Sequence, residues 1–232
     1  MQHVTVISLG GSLVCPDRVD DRFLSEFKTL VAAFLETVPE RKIILVTGGG
    51  ALAREYQRAY YALAGKSAET AADADWLGIT ATRLNAELVR RLFAGWCADP
   101  VVTDPEGKID FTGRVLVASG WRPGFSTDYV AVVLAERFRA DLLVNPTNVE
   151  RVYSDDPRKN PGARPFDDIT WPDFRAIVGE EWTPGKNAPF DPVASGRAAA
   201  SGLKVVIAQG RDLANLKNIL EGRPFTGTLI HP

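Results

Sequence analysis

The stretch from Val115 to Pro157 constrains the fold more than any other part of the chain. An apolar run, Val115-Leu116-Val117-Ala118, leads into the loop Ser119-Gly120-Trp121-Arg122-Pro123-Gly124-Phe125. Ser126-Thr127-Asp128 then open a helix over Tyr129–Phe138, and a second apolar run follows at Asp141–Asn145. Beyond it come Pro146-Thr147-Asn148-Val149 and Val152-Tyr153-Ser154-Asp155-Asp156-Pro157. Short apolar runs without polar alternation read as strands buried on both faces, the habit of parallel sheets. Strand, glycine loop, helix and strand make a parallel crossover unit whose polar loops lie at the carboxyl ends of both strands. In open α/β sheets that edge is where ligands bind. At Ser126-Thr127-Asp128 the residues suit either a helix cap or an anion held at a helix start, and the segment alone leaves both open.

The same arrangement recurs upstream. Val4–Leu9 is a strand followed by Gly10-Gly11-Ser12, and Arg22–Val38 a helix with Phe23, Phe27, Leu30, Val31, Phe34 and Leu35 on one stripe. Ile43–Thr47 is a strand ending in Gly48-Gly49-Gly50, which feeds a helix over Ala51–Ala64 carrying Arg54. Glycine at a strand-to-helix turn lets a ligand come close to backbone N–H groups. Gly65–Ala74 reads as a small-residue surface loop. Asp75–Gly95 follows as an amphipathic helix, with Leu77, Leu84, Leu88 and Leu92 inward and Arg83, Glu87, Arg90 and Arg91 mostly outward. Pro100–Thr103 is a short strand. A helix starts at Thr170 with Pro172 in its first turn, and Gly185–Pro189 is a loop carrying Lys186. Asp191-Pro192 begins a further helix, Lys204–Gln209 is a strand, Asp212–Glu221 a helix stopped by Gly222, and Thr228–Ile230 a closing strand. With no repeat and no domain-scale linker, residues 1–232 are expected to form one α/β domain.

Composition narrows the function classes. The formal net charge is −2 over 232 residues, which offers no footing for nucleic acid or a membrane surface. The two cysteines, Cys15 and Cys97, lack metal or disulfide spacing, and both histidines, His3 and His231, lie near the chain ends. Histidine acid–base chemistry and a His-ligated metal are therefore not expected. Without a leader or a membrane-length apolar run, a cytoplasmic protein is expected.

Taken together, the motifs resemble the amino acid kinase family, and within it the uridylate (UMP) kinases of archaeal type. The resemblance rests on Leu9-Gly10-Gly11-Ser12, Gly48-Gly49-Gly50 with Arg54, Asp75-Trp76-Leu77-Gly78-Ile79, and Thr82-Arg83-Leu84-Asn85-Ala86. It continues through Pro123-Gly124 with Ser126-Thr127-Asp128, Thr147-Asn148-Val149, Val152–Pro157, Asp191-Pro192 and Gly227-Thr228-Leu229-Ile230. It implies a three-layer αβα sandwich around a mostly parallel sheet of about eight strands. It also implies ATP-dependent phosphorylation of UMP to UDP with Mg²⁺, in a homo-oligomer, usually a hexamer. Carried over to this chain, Gly10, Gly11 and Ser12 would hold the donor phosphates. Gly48 and Gly49 with Arg54 would meet the acceptor phosphate and part of the donor's. Asp75 would hold the UMP ribose, and the loop Gly120, Trp121, Arg122, Pro123, Gly124, Phe125, Ser126 and Thr127 the pyrimidine and acceptor phosphate. Thr147, Asn148, Tyr153 and Asp156 would border the ATP base and ribose, and Asp191 would be the acidic organiser. No further protein metal site is implied.

Phosphoryl transfer asks mainly for positioning and charge neutralisation, which backbone N–H groups and a forked arginine such as Arg54 can supply. Three departures from the family pattern stand out. Ser8 occupies the place where many members carry lysine, Glu150-Arg151 replaces Asp-Gly, and Pro146 precedes Thr147. Lys186, Arg54 and Arg122 are the candidate cations to make up for Ser8, with Lys186 placed alongside Asp191 and Arg54 in the catalytic set. Rival readings are a same-fold kinase for carbamate, an amino acid or a phosphorylated alcohol, and a non-catalytic relative that binds nucleotide or oxyanions. Terminal histidines argue against the isopentenyl phosphate branch, which relies on a pocket histidine.

Overall fold

The computed structural model describes residues 3–179 and 188–232. In chain order the elements are β1 (His3–Leu9), α1 (Gly11–Val14), α2 (Asp21–Thr37), β2 (Arg41–Thr47), α3 (Gly50–Ala64) and α4 (Ala68–Leu92). There follow β3 (Val115–Ala118), α5 (Thr127–Arg137), β4 (Leu142–Thr147), β5 (Val152–Tyr153), β6 (Pro165–Phe166) and β7 (Asp168–Thr170). The chain closes with α6 (Trp171–Val178), α7 (Pro192–Ser201), β8 (Val205–Gln209), α8 (Leu213–Leu220) and β9 (Thr228–His231).

Seven strands form the central sheet in the order β3-β2-β1-β4-β8-β9-β7, and β5 and β6 pair separately as a small antiparallel ribbon. Only the β8–β9 pairing within the central sheet is antiparallel. Because side chains alternate along a strand, β2 sends Ile44 and Val46 to one face and Ile43 and Leu45 to the other, all fully buried. The first face packs against Val130 and Leu134 of α5, Phe174 of α6 and Ala198 of α7. The second packs against Phe27, Val31 and Leu35 of α2, Val89 of α4 and Ile219 of α8. The result is the expected αβα sandwich. Fully burying each such aliphatic side chain contributes about 1.5–3 kcal/mol, so truncating Phe27 at its centre would cost about 3–5 kcal/mol.

Topology places the site. From β1 the sheet grows through β2 and β3 on one side and through β4 and β8 on the other. The strand order reverses beside β1, and the crevice at the carboxyl ends of β1, β2 and β4 is the switch point where such sheets bind ligands. Pro146 fits β4 because the β1–β4 register stops at Ile7–Val144, two residues before it. Its missing N–H therefore removes no ladder bond on that side, and Pro146 pairs across with Ala208 of β8.

Several sequence expectations need correction. Gly65–Ala74 is mostly not a loop: α4 begins at Ala68, capped by Ser67, whose side chain accepts from Thr70 N while Thr70 Oγ1 accepts from Ser67 N. That reciprocal box, followed by alanines, favours helix over coil. Asp75 is consequently inside the helix and not its cap. Leu84 and Leu88 face outward, 62% and 40% exposed, while Ile79, Thr82, Asn85, Ala86 and Val89 face inward and Arg83 is half-buried. Pro100–Thr103 forms no strand, only a bridge between Val102 and Ala118.

Candidate active site

The two leading glycine loops are pressed against each other. A Cβ on Gly11 would sit 2.0 Å from Gly50 N, and one on Gly48 would sit 2.3 Å from Gly11 N. Gly50 also has φ of +64°, in the left-handed region that glycine adopts without strain. These glycines are thus required first by the approach of one loop to the other. That contact brings the starts of α1 and α3 to one spot at the sheet edge, where Ala51 N is spent on the Cys15 carbonyl at 2.7 Å. Gly10 is roomier, its nearest neighbour for a Cβ being 3.8 Å away.

Helix α4 braces this spot. Asn85, 3% exposed, donates from Nδ2 to the carbonyls of Gly48 (2.8 Å) and Gly49 (3.2 Å). Thr82 Oγ1 accepts from Gly120 N at 2.8 Å, and Thr47 Oγ1 donates to the Thr82 carbonyl at 3.1 Å. One helical stretch therefore fixes both the Gly48–Gly50 loop and the loop after β3. Sequence reasoning quoted this motif but gave Thr82 and Asn85 no role. The available signal was a pair of polar residues three apart on the inward face of an amphipathic helix.

The loop after β3 closes over the same helix. Asp75 Oδ2 accepts from Gly124 N at 3.2 Å, tying the loop tip to α4. Trp121 is 8% exposed, its ring 4.9 Å from that of Phe125, which in turn lies 4.7 Å from Tyr129. The exposed Arg122 covers this stack, its guanidinium carbon 3.8 Å from the Trp121 centroid and 4.9 Å from that of Phe125. Trp121 thus serves as a wall, while Arg122 and Pro123 form the outer lip. Ser126 caps α5, its Oγ accepting from Tyr129 N, and Thr127 begins the helix. The capping half of the two readings left open for this segment is therefore seen directly.

Beneath the loops two carboxylates meet. Ser8 Oγ donates to Asp128 Oδ1 at 2.9 Å, and Asp191 N donates to Asp128 Oδ2 at 3.3 Å. Asp191 is the N-cap of α7, its Oδ1 accepting from Ala194 N at 2.7 Å, with Pro192 following as read from the sequence. Burial pushes the Asp128 carboxyl up to about 6; the Ser8 hydrogen bond opposes this, and the neighbouring charge of Asp191 adds to it. Asp128 is a site residue that sequence reading quoted only as part of a helix start. Its contact with Ser8 spans 120 residues of chain, out of reach of any local pattern.

The remaining expected residues are more scattered. Thr147 ends β4, its carbonyl accepting from Gly210 N and its hydroxyl donating to Asn148 Oδ1. Tyr153 lies in the β5–β6 ribbon. The Asp156 carboxylate is committed to Arg158, with bonds of 3.0 Å to Nε and Nη2, and that guanidinium holds it below the usual carboxylate range. Arg54 is exposed in α3 and donates to the Pro16 carbonyl at 2.8 Å. Lys186 lies outside the described residues. His3 and His231 pair with Asp141 and Asp168, away from these loops.

The amino acid kinase family model matches residues 3–209. The chain belongs to the amino acid kinase family. Among its members, the uridylate kinase of Methanospirillum hungatei is 36% identical over 228 residues, covering 97% of this chain and 93% of its own. That of Thermoplasma volcanium is 37% identical, covering 99% of this chain and 98% of its own. The crystal structure of uridylate kinase from Archaeoglobus fulgidus superposes with a TM-score of 0.78 at 30% identity, covering 99% and 100% of the two chains. Among the described residues no group of three or more His, Cys, Asp or Glu side chains is placed to hold an ion. No helix among the described residues is long and apolar enough to cross a membrane.

Proposed function

We propose that this chain is a UMP kinase, transferring the γ-phosphoryl group of ATP to the phosphate of UMP in pyrimidine nucleotide synthesis. The observation that carries the reading is near-full-length similarity, above 30% identity, to proteins named uridylate kinase. The geometry supports it. Gly10, Gly11 and Ser12 at the start of α1 and Gly48–Gly50 at the start of α3 form the floor on which donor and acceptor phosphates would meet. Asp75 and the Gly120–Thr127 loop would take the acceptor's ribose and base, with Thr147, Asn148, Tyr153 and Asp156 bordering the donor nucleoside. Bound Mg²⁺ would supply charge neutralisation on the phosphates. The protein's own part is to align the two nucleotides and exclude water. Asp128 and Asp191 would order the ends of β1, α5 and α7 beneath them, and Arg54 would swing from Pro16 to the phosphates.

The whole chain acts as one catalytic domain in the cytoplasm. A homo-oligomer is supported by the outer face of α3 and α4. There Tyr56, Leu84 and Leu88, with Val19 from the loop before α2, stand 40–62% exposed around a hollow of about 990 Å³. An apolar patch of this kind marks a contact surface, and a second copy of the chain is its proposed partner. The test is an assay with ATP, Mg²⁺ and a panel of UMP, CMP, carbamate and glutamate. Turnover is expected with UMP; no ADP above background with UMP while another acceptor is used would overturn the reading.

A further inference from the structure

The motif Thr82-Arg83-Leu84-Asn85-Ala86 contains three polar side chains, and the structure accounts for two of them. Thr82 and Asn85 spend their hydrogen bonds on Gly120, Gly48 and Gly49. Arg83 is different. Its Nε is buried without a hydrogen-bond partner, and its Nη2 makes one long bond of 3.5 Å to the Trp121 carbonyl. No carboxylate of the described residues forms an ion pair with it. Its guanidinium carbon lies 5.8 Å from the ring centroid of Trp76, so the side chain stands between that ring and the Trp121 carbonyl. A guanidinium carries five donors in a fixed fork and keeps its charge at any working pH. With no carboxylate partner and one long bond, the half-buried guanidinium head keeps donors to offer beyond the chain.

The position narrows what that acceptor is. Gly78, Thr82 and Asn85 lie on the flank of α4 facing Gln57 and the Gly48–Gly49 loop, where the phosphates would meet. Asp75 and Arg83 lie on the adjoining flank, and each bonds to the loop after β3. They stand eight residues apart, about 12 Å along the axis at 1.5 Å per residue. Helical side chains lean toward the N-terminus, and the approach of Arg83 to Trp76 shows that it does so, shortening the gap to Asp75. The loop after β3 is the part of the site that the proposed function gives to the pyrimidine, and Arg83 reaches that loop at the Trp121 carbonyl. Uracil offers carbonyl oxygens there. Cytosine replaces one of them with an amino group, a donor that a guanidinium cannot satisfy.

We propose that Arg83 binds the acceptor's base through the uracil 4-carbonyl, the oxygen that cytosine lacks, and sets the preference for uracil over cytosine. This deepens the proposed function and rests on it. Arg83 is a binding residue acting on substrate affinity, so its removal affects KM more than kcat. The experiment compares wild type, Arg83→Met and Arg83→Lys with UMP and CMP at saturating ATP, beside calorimetric binding of UMP and of ATP. Arg83→Met is expected to raise KM for UMP by about ten- to a hundredfold, the range for a hydrogen bond from a charged donor. KM for CMP should change little, so the preference between the two shrinks by a similar factor, and Arg83→Lys should restore part of it. Unchanged KM for UMP, or equal weakening of UMP and CMP, would overturn the proposal, the latter because a loop-bracing role harms both nucleotides alike. If wild type turns over neither nucleotide, the UMP kinase reading fails, and the calorimetry decides separately: weaker UMP binding in Arg83→Met supports the base contact and unaltered or absent binding refutes it. Should Arg83→Met also lose ATP binding and melt early, Arg83→Lys, which keeps charge and bulk, carries the comparison on the same criteria.

Discussion

Asp128→Asn should stabilise the protein, and by more at high pH than at low. The Asp128 carboxylate is desolvated, faces the like charge of Asp191 and accepts from one hydroxyl and one backbone N–H. Its folded-state value near 6 lies above the 3.8 of a free side chain, so between those values the folded protein binds more protons than the unfolded chain. Stability attributable to this group is then fully present below about pH 3.8 and is lost as pH rises through about 6. The full difference corresponds to a ceiling of about 3 kcal/mol, at 1.36 kcal/mol for each tenfold change in proton affinity. By linkage about 1 kcal/mol of this stability is already lost at pH 4.5 and nearly all of it at pH 8, which is what the neutral asparagine regains. Asparagine can keep both contacts, its Oδ1 accepting from Asp191 N and its Nδ2 donating to Ser8 Oγ. In a chain of this size, the gain in Tm should be about 4–8 °C larger at pH 8 than at pH 4.5. The assay is thermal or urea unfolding of both proteins across pH, at one protein concentration because assembly would shift the midpoints. A difference between variant and wild type that stays flat with pH would refute the reasoning, since Asp128 would then titrate like a free carboxylate.

Asn85→Ala removes the donor to the Gly48 and Gly49 carbonyls and should cost about 1–3 kcal/mol in urea unfolding, with a raised KM for UMP. An unchanged midpoint would mean water replaces the amide without loss. Arg54→Ala should leave Tm nearly unchanged, because its one structural bond is an exposed contact to Pro16. It should raise the catalytic barrier by about 2–4 kcal/mol, and near-normal turnover would remove Arg54 from the site. Leu84→Asp with Leu88→Asp should lower the mass seen by light scattering while the monomer remains folded; an unaltered mass would exclude the α3–α4 face as the interface.

Sequence alone determined β1, β2, β3, β4, β8 and β9, the glycine loops and their order, because each is written in a window of a few residues; the short β5, β6 and β7 were not legible there. Apolar runs such as Ile43–Val46 read as strands buried on both faces, and Gly48-Gly49-Gly50 after one of them as a turn into a helix. Helix starts at Ser126, Thr170 and Asp191 were legible for the same reason, since a cap is a bond across three residues. What lay beyond such windows was decided by tertiary structure. The periodicity of α4 is compatible with burying Leu84 and Leu88, yet the helix turns Asn85 and Thr82 inward, because the Gly48 carbonyl and the Gly120 N–H need partners at the sheet edge. Ser8 and Asp128 meet only because β1 lies next to α5 in the folded chain, and Asp191 joins them when α7 packs on the same face. The local pattern says that a helix has two flanks. Which flank is buried depends on the hydrogen-bonding demands of loops dozens of residues away, and those exist only once the sheet is assembled.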